Sequence, residues 1–209
     1  MFQVIDIRGQ AVANTKYFFD ANVWFYILFP SPYIKPTLAE YERFLNKISA
    51  SIIKPKPKVV VTSMVISEVI NVYLRKVGLN VYFKTNPLLE PTPNSGKDRY
   101  KDIYRKSQEF KRDYDYVCAS FKAYHKVFEF VNDEFSSFTP NQVLKNLSVD
   151  LDFNDNYVFE LAKKMNYTIV THDIDFCLET VEILTSNKAL LTKAKALAEA
   201  KDIKTGNKQ

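Results

Sequence analysis

Acidic residues follow two of the most apolar runs in this chain, at the points where strands are predicted to end. Asp20 comes directly after residues 17–19, and Asp173 comes after residues 168–171 and His172. Each run has the length and composition of a buried strand. In an open parallel α/β sheet, ligands bind beyond the carboxyl ends of the strands. We therefore expect Asp20 and Asp173 to face one crevice.

Other acids, namely Glu68, Asp152 and Asp155, lie near the predicted starts of helices. Carboxylates that share a crevice repel one another, and an isolated charge costs free energy to bury. A hard divalent cation, Mg²⁺ or Mn²⁺, offsets both effects because it prefers oxygen ligands. The residue types therefore predict a metal site built from carboxylates.

Each of these acids also has a structural interpretation. Asp20 is placed to cap the helix predicted after it, and Glu68 also fits an ordinary solvated position on a helix. Asp152 and Asp155 compete, because one of them can cap a helix while the other binds metal. These alternatives stay open at the level of single residues.

The acids that follow the run at residues 168–171 compete in the same way. Asp173 is closer to the predicted strand end, so it is the preferred ligand. Asp175 is left either to bind metal through water or to cap the next turn. We interpret His172 as a polar residue on the side of the strand rather than as a contact to substrate phosphate.

The composition limits the kind of protein that carries these acids. The 209 residues and the hydrophobic fraction of 46% suit one domain, spanning residues 1–209, with a sizeable core. No apolar run has the roughly 18–20 residues of a membrane span, and the N-terminus lacks the plan of a signal peptide. We expect a cytoplasmic protein with no membrane partner, in which Cys118 and Cys177 stay reduced.

Strand-like and helix-like segments alternate along much of the chain. Strands are predicted at residues 4–7, 17–19, 59–62, 168–171 and 181–184. Helices are predicted at residues 22–29, 37–53, 64–76, 139–147, 152–166 and 187–201. Thr37 and Glu40 have the spacing of a capping box at the start of the second helix. The alternation argues for a mainly parallel sheet covered by helices, which is an α/β fold.

Four segments combine these acids with the predicted elements. They are Phe18-Phe19-Asp20-Ala21-Asn22, residues 61–68 ending in Glu68, residues 152–157 with Asp152 and Asp155, and residues 169–176 with Thr171-His172-Asp173-Ile174-Asp175-Phe176. The stretch from 155 to 176 is the most specific, since it joins an acidic helix start, a small-residue helix, a strand and a Thr-x-Asp-x-Asp-Phe ending. In this order the segments resemble the PIN-domain nucleases, including the VapC-type toxins.

The resemblance implies a three-layer α/β/α sandwich with a central, mainly parallel sheet. It maps the metal-binding and catalytic carboxylates of the family onto Asp20, Glu68, Asp155 and Asp173. Asp155 matches the family spacing to Asp173, which leaves Asp152 as a supporting residue or a cap, while Asp175 is a further candidate for the metal. The strand-end hydroxyl of the family maps to Thr171, and Asn22 is expected to support the loop after Asp20.

The resemblance also implies the chemistry. We expect one or two Mg²⁺ or Mn²⁺ ions and hydrolysis of RNA by metal-activated water, which leaves a 5′-phosphate and a 3′-hydroxyl. No Ser, Cys or His nucleophile is then needed, in agreement with a chain that holds two histidines. A homodimer and, for a toxin, an antitoxin protein are the partners that the family suggests. A housekeeping RNA-processing nuclease fits the same residues.

Residues 79–138 depart from the compact members of this family. We expect an insertion made of a loop and a long helical segment, which either covers the substrate or forms a dimer surface. Its stretch 97–112 places Arg99, Lys101, Arg105 and Lys106 among tyrosines 100 and 104, a mixture that suits single-stranded RNA. The net charge of +5 and the basic C-terminal helix and tail, residues 187–209, agree with a polyanionic partner. For the stretch 97–112, the alternative to RNA binding is a solvated helix face, because acidic residues are interspersed among the basic ones.

Rival functions fit the same residues less well. A catalytically silent PIN-like module that binds RNA or a protein is the main alternative, but it has no physical reason to keep mutually repelling acids. A haloacid-dehalogenase-like phosphatase also begins with an acid at a strand end, but it needs a second acid where Asn22 stands. A two-component receiver would need a pair of acidic residues before the first strand, and this chain lacks that pair.

Overall fold

The computed structural model describes residues 3–30, 38–144 and 151–206. Within them, six strands pair into one sheet, in which every neighbouring pair is parallel. The strands are β1 Gln3–Asp6, β2 Lys16–Phe19, β3 Lys58–Val61, β4 Phe128–Phe130, β5 Thr168–Val170 and β6 Glu182–Thr185. Their order across the sheet is β1-β6-β5-β2-β3-β4.

The α-helices of the described residues follow the strands along most of the chain. They are α1 Ala21–Leu28, α2 Ala39–Ala50, α3 Ser63–Val72, α4 Leu79–Thr85, α5 Gln108–Lys122, α6 Pro140–Leu144, α7 Phe153–Met165 and α8 Lys188–Gly206. The predicted three-layer α/β/α fold with a parallel sheet is confirmed. The predicted cap Thr37, the end of the helix predicted at 139–147 and the last residues of the tail lie outside the described residues.

Apolar side chains explain why the middle of the sheet forms where it does. Phe18 and Phe19 of β2, Val60 of β3, and Ile169 and Val170 of β5 are fully buried. Burying each such side chain stabilises the fold by roughly 1.5–3 kcal/mol. The β-branched and aromatic runs that predicted these strands are therefore the runs that form the core.

The chain divides into two compact units, residues 1–63 with 126–209, and residues 64–125. The first unit contains the whole sheet. None of the described helices is both long and apolar enough to cross a membrane.

The second unit has a hydrophobic core of its own. Leu74, Tyr82, Phe83, Tyr100 and Tyr104 are buried against one another. The hydroxyl of Tyr104 donates a hydrogen bond of 2.5 Å to Asp113 Oδ2. A Cβ at position 78 would lie 2.0 Å from this hydroxyl, so glycine there makes room for it.

The structure corrects the long helical segment predicted after residue 97. A π-helical turn, Arg99–Ile103, and a 3₁₀ turn, Tyr104–Lys106, come first, and Ser107 then caps α5 by accepting a hydrogen bond from Phe110 N. Residues 128–130, predicted as part of the insertion, form β4 and pair with β3. A Phe-Glu-Phe stretch is too short to show alternation, and pairing with a strand distant in sequence decides its conformation.

Candidate active site at the carboxyl ends of the strands

Asp20 lies between β2 and α1, at the point where the central strand ends. It occupies the N-cap position of α1, but its side chain makes no capping hydrogen bond. Instead, its Oδ2 accepts hydrogen bonds from Asn22 Nδ2 at 2.6 Å and from Thr171 Oγ1 at 2.7 Å. The side chain of Asp20 therefore joins Asn22 of α1 to the residue that follows β5, instead of capping the helix backbone.

Thr171 connects Asp20 with Asp173. Its side chain is fully buried directly after β5, where its Oγ1 accepts a hydrogen bond of 3.0 Å from Asp173 N. Asn22 Nδ2 lies 3.4 Å from the same oxygen. A hydroxyl has one hydrogen and two lone pairs. Each of them has a partner here, so the orientation of the Thr171 hydroxyl is fully determined.

The loop after β5 continues this chain of hydrogen bonds. Asp173 Oδ1 accepts from Asp175 N at 2.9 Å, which closes a tight turn between the two acids. His172 N donates to Asn22 Oδ1 at 3.2 Å. The structure thus brings together five of the predicted residues, namely Asp20, Asn22, Thr171, Asp173 and Asp175. Asn22 and Thr171 both donate hydrogen bonds to Asp20.

The pKa of Tyr26 in α1 reflects the negative charge at this edge of the sheet. Burial raises the pKa of its hydroxyl, and the negative charges of Asp20 and Asp173 raise it further because they repel a tyrosinate. Its ring packs edge-on against the ring of His172, with 5.7 Å between centroids. Both carboxylates therefore act on one half-buried phenol, which stays protonated.

Asp152 and Asp155 have different places in α7. Asp152 is exposed at the N-cap, where its Oδ1 accepts a hydrogen bond of 3.0 Å from Asp155 N. Asp155 is half-buried in the first turn. Since Asn166, with a left-handed φ of 55°, caps the end of α7 and β5 begins at Thr168, the helix runs back along the sheet. Its first turn, which contains Asp155, therefore lies towards the carboxyl edge of the sheet. The hydrogen bond from Asp155 N shows that Asp152 is the residue that caps the helix.

Glu68 and the predicted basic residues belong to the second unit. Glu68 is half-buried in α3. Arg99 pairs with Glu90, Nε to Oε1 2.7 Å, and its guanidinium lies 4.6 Å from the centroid of the Phe83 ring. Lys106 Nζ lies 3.6 Å from Asp102 Oδ1.

The cations and the tyrosines of this stretch differ in exposure. Lys101 and Arg105 are exposed, as are Arg99 and Lys106. The tyrosine rings at positions 100 and 104 are only 8% and 0% exposed, so they cannot stack on bases. That part of the RNA-binding prediction is wrong, because these rings form the core of the second unit.

Sequence reasoning missed one residue that contacts this site. Tyr41 has the spacing of an ordinary core position within the helix predicted at residues 37–53, yet its hydroxyl lies 3.0 Å from Thr171 O and 2.7 Å from His172 Nδ1. The signal was the presence of tyrosine at a core position, because a buried hydroxyl needs hydrogen-bond partners.

The side chains at this edge offer hard oxygen donors, which is the donor type that Mg²⁺ and Mn²⁺ prefer. Throughout the described ranges, no three His, Cys, Asp or Glu side chains are already grouped to hold a metal ion. By donor chemistry the acids fit such an ion, with Asp20 and Asp173 joined through Thr171 as the core of the candidate site.

Comparison with known proteins agrees with this architecture. The family model of the PIN domain matches residues 17–179, which include all of the second unit, most of the first and every acid discussed above. No curated protein matches the chain. PIN domains are generally nucleases and usually use divalent metals. Because the matched region covers most of the 209 residues, the chain belongs to the PIN domain family.

Proposed function

We propose that this protein is a metal-dependent endoribonuclease that hydrolyses RNA phosphodiester bonds at the edge where β2 and β5 end. The observation that supports it most is the hydrogen-bonded connection of Asp20 and Asp173 through the buried hydroxyl of Thr171. Carboxylates held next to each other at the carboxyl ends of adjacent parallel strands are suited to a cation and, with it, to a phosphate.

Each side chain has a role in this proposal. Asp20, Asp155 and Asp173 hold one or two Mg²⁺ or Mn²⁺ ions, with Asp175 as a further candidate and Glu68 added by the family resemblance. A bound ion would lower the pKa of its water and neutralise charge on the phosphate. Thr171 and Asn22 fix the rotamer of Asp20 by donating to its Oδ2. The Asp173–Asp175 turn fixes the Asp173 carboxylate through Asp175 N.

The substrate and partners follow from the same proposal. RNA, single-stranded or structured, is the substrate, and the net charge of +5 supports binding of a polyanion. The narrower proposal is a cytoplasmic toxin that is neutralised by an antitoxin protein and acts as a homodimer. Of the four basic residues predicted to bind RNA, we assign the contacts with phosphates to the exposed Lys101 and Arg105.

Cleavage of a mixed set of structured and single-stranded RNAs tests the proposal. The purified protein is assayed with Mg²⁺ or Mn²⁺ and with EDTA, next to Asp20→Asn. Asp6→Asn is the matched control, since Asp6 also ends a strand of the sheet but its carboxylate pairs with Arg8. We expect metal-dependent cutting that Asp20→Asn abolishes and Asp6→Asn retains. Glu68→Gln is measured separately, because its role comes from the resemblance.

The alternative function is a catalytically silent module that binds RNA. One observation favours it, since the described residues contain no group of three or more His, Cys, Asp or Glu side chains arranged to hold a metal ion. Salt-sensitive RNA binding without cutting under any metal condition would support this module and overturn the nuclease.

A further inference from the structure

Tyr41 has an unusual number of polar contacts for a residue of the hydrophobic core. Its side chain is fully buried within α2. Around its hydroxyl, Thr171 O lies at 3.0 Å, His172 Nδ1 at 2.7 Å, Ser186 N at 3.1 Å and Thr185 Oγ1 at 3.3 Å. One hydroxyl therefore contacts the residues that follow β5 and those at the end of β6.

The hydrogen-bonding capacity of a tyrosine fits these contacts. The hydroxyl has one hydrogen, and its oxygen accepts from up to two donors. The Thr171 carbonyl can only accept and the Ser186 amide can only donate, so Tyr41 donates to the first and accepts from the second. The remaining lone pair of the oxygen faces two groups that can donate to it, His172 Nδ1 at 2.7 Å and Thr185 Oγ1 at 3.3 Å.

Asn187 forms a second tether to the same loop. Asn187 Nδ2 donates to His172 O at 2.7 Å, while Asn187 N donates to Thr185 Oγ1 at 3.0 Å. The backbone of Thr171 and His172 is thus held by side chains from α2 and from the start of α8. Thr171 in turn contacts Asp20 through its side chain, and His172 contacts Asn22 through its backbone amide.

We infer that Tyr41 is a positioning residue of the candidate site, whose hydroxyl holds the Thr171–His172 backbone so that Thr171 Oγ1 meets Asp20 and Asp173. The inference rests on the proposed function for its kinetic consequence, but its structural consequence stands alone. Tyr41 acts through Thr171, since its own hydroxyl is bonded to backbone and to His172 rather than to a carboxylate.

Protonation supports this role. Burial raises the pKa of the Tyr41 hydroxyl above its ordinary value, and its contacts with Ser186 and Thr185 only partly offset the effect. The hydroxyl therefore keeps the hydrogen that it donates to Thr171 O throughout the neutral range.

A second buried tyrosine of the same unit provides a matched control. Tyr17 of β2 is 1% exposed, and its hydroxyl accepts hydrogen bonds from Ala13 N at 2.9 Å and from Asn14 N at 2.8 Å. These partners lie before the start of β2, away from its carboxyl end. Tyr17→Phe therefore removes a buried, hydrogen-bonded hydroxyl without touching the site.

The first experiment compares Tyr41→Phe with Tyr17→Phe in RNA cleavage and in Mn²⁺ titration. For Tyr41→Phe we expect kcat to fall by about 10–100-fold, KM to change less than about twofold and Mn²⁺ binding to weaken by about 10-fold. Tyr17→Phe should leave all three values unchanged. Equal losses in both variants, or an unchanged kcat in Tyr41→Phe, would overturn the inference.

The double variant separates positioning from a general structural role. If Tyr41 acts through Thr171, Tyr41→Phe should cost little further activity once Thr171→Val is present. Full additivity of the two losses would contradict the inference.

A final measurement separates this inference from the proposed function. If the wild-type protein neither cleaves RNA nor binds Mn²⁺, the proposed function has failed, and amide hydrogen exchange then tests the positioning role. Tyr41→Phe should speed exchange of residues 171–175 at least about 10-fold relative to Tyr17→Phe, because this loop loses its anchor in α2. Unchanged exchange in that segment would overturn the inference.

Discussion

Thr171 Oγ1 donates a hydrogen bond of 2.7 Å to Asp20 Oδ2 although 151 positions separate the two residues along the chain. The register of the sheet explains the contact. Phe19 of β2 pairs with Val170 of β5, so the next residue of each strand emerges at the same point of the carboxyl edge. Asp20 N also donates to Val170 O at 3.0 Å, which extends the pairing to the site itself.

Replacing Thr171 by valine should therefore disable the site without disrupting the strand. Valine keeps the shape of threonine but cannot donate to Asp20 or accept from Asp173 N. We expect cleavage to fall by about 10–100-fold, as is typical when a residue that orients a ligand is lost. Single-turnover cleavage measures the effect, and Thr171→Ser, which keeps the hydroxyl, should retain most of the activity. Equal losses in both variants would show that packing, not the hydroxyl, matters.

Substitutions of Asp155 and Asp152 should have different effects on cleavage and on stability. Asp155→Asn is expected to abolish cleavage and keep the fold, because it removes a proposed metal ligand. Asp152→Asn should keep both, since asparagine is as good an N-cap as aspartate, whereas Asp152→Ala should cost about 1 kcal/mol of stability. Cleavage assays and urea unfolding of the three variants check this. Full activity in Asp155→Asn would remove Asp155 from the site.

Cations of the second unit should differ in RNA binding according to their contacts. Lys101, Arg105 and Arg99 are all exposed, but Arg99 is paired with Glu90 and lies over Phe83. We expect Lys101→Ala and Arg105→Ala each to weaken binding and to reduce the salt slope by about 0.7, the value for one phosphate contact on a single strand. Arg99→Ala should instead lower the midpoint of thermal unfolding. Binding of a fluorescent RNA across a salt series gives the slopes, and unchanged slopes would argue against this surface.

Tyr157 makes stability depend on alkaline pH. Burial raises its pKa from 10.0 to about 12, and the charges of Asp133 and Glu134 contribute. The folded protein thus holds this proton more tightly than the unfolded chain. Stability is fully present below pH 10 and is lost as pH rises towards 12, by on the order of 2 kcal/mol.

Urea unfolding at several pH values measures this effect. Tyr157→Phe removes the titrating group, so its stability should fall less steeply than that of the wild type between pH 10 and 12. Other buried tyrosines contribute equally to both proteins, and the difference between the two slopes isolates Tyr157. Identical slopes would show that its pKa is the same in the folded and unfolded states.

Local patterns along the chain were enough to predict much of the sheet and its acidic edge. Apolar, β-branched runs bounded by polar residues located β1, β2, β3, β5 and β6 to within one residue of their observed bounds. A strand end is a local property, so the acids next to those ends, Asp20 and Asp173, could be assigned to one crevice before any contact was known. The parallel arrangement followed from the alternation of strands and helices.

Only the tertiary structure decided which of several equivalent residues has which role. Asp152 caps α7, the tyrosines at 100 and 104 are core residues, Arg99 is paired, and β4 exists because β3 lies beside it. Tyr41 has the spacing of an ordinary core position, and its hydroxyl finds its hydrogen-bond partners only because α2 packs beside the ends of β5 and β6. The physical reason is common to all of these. Sequence periodicity shows which face of an element is buried, but a hydrogen bond or an ion pair depends on a partner that folding brings from a distant part of the chain.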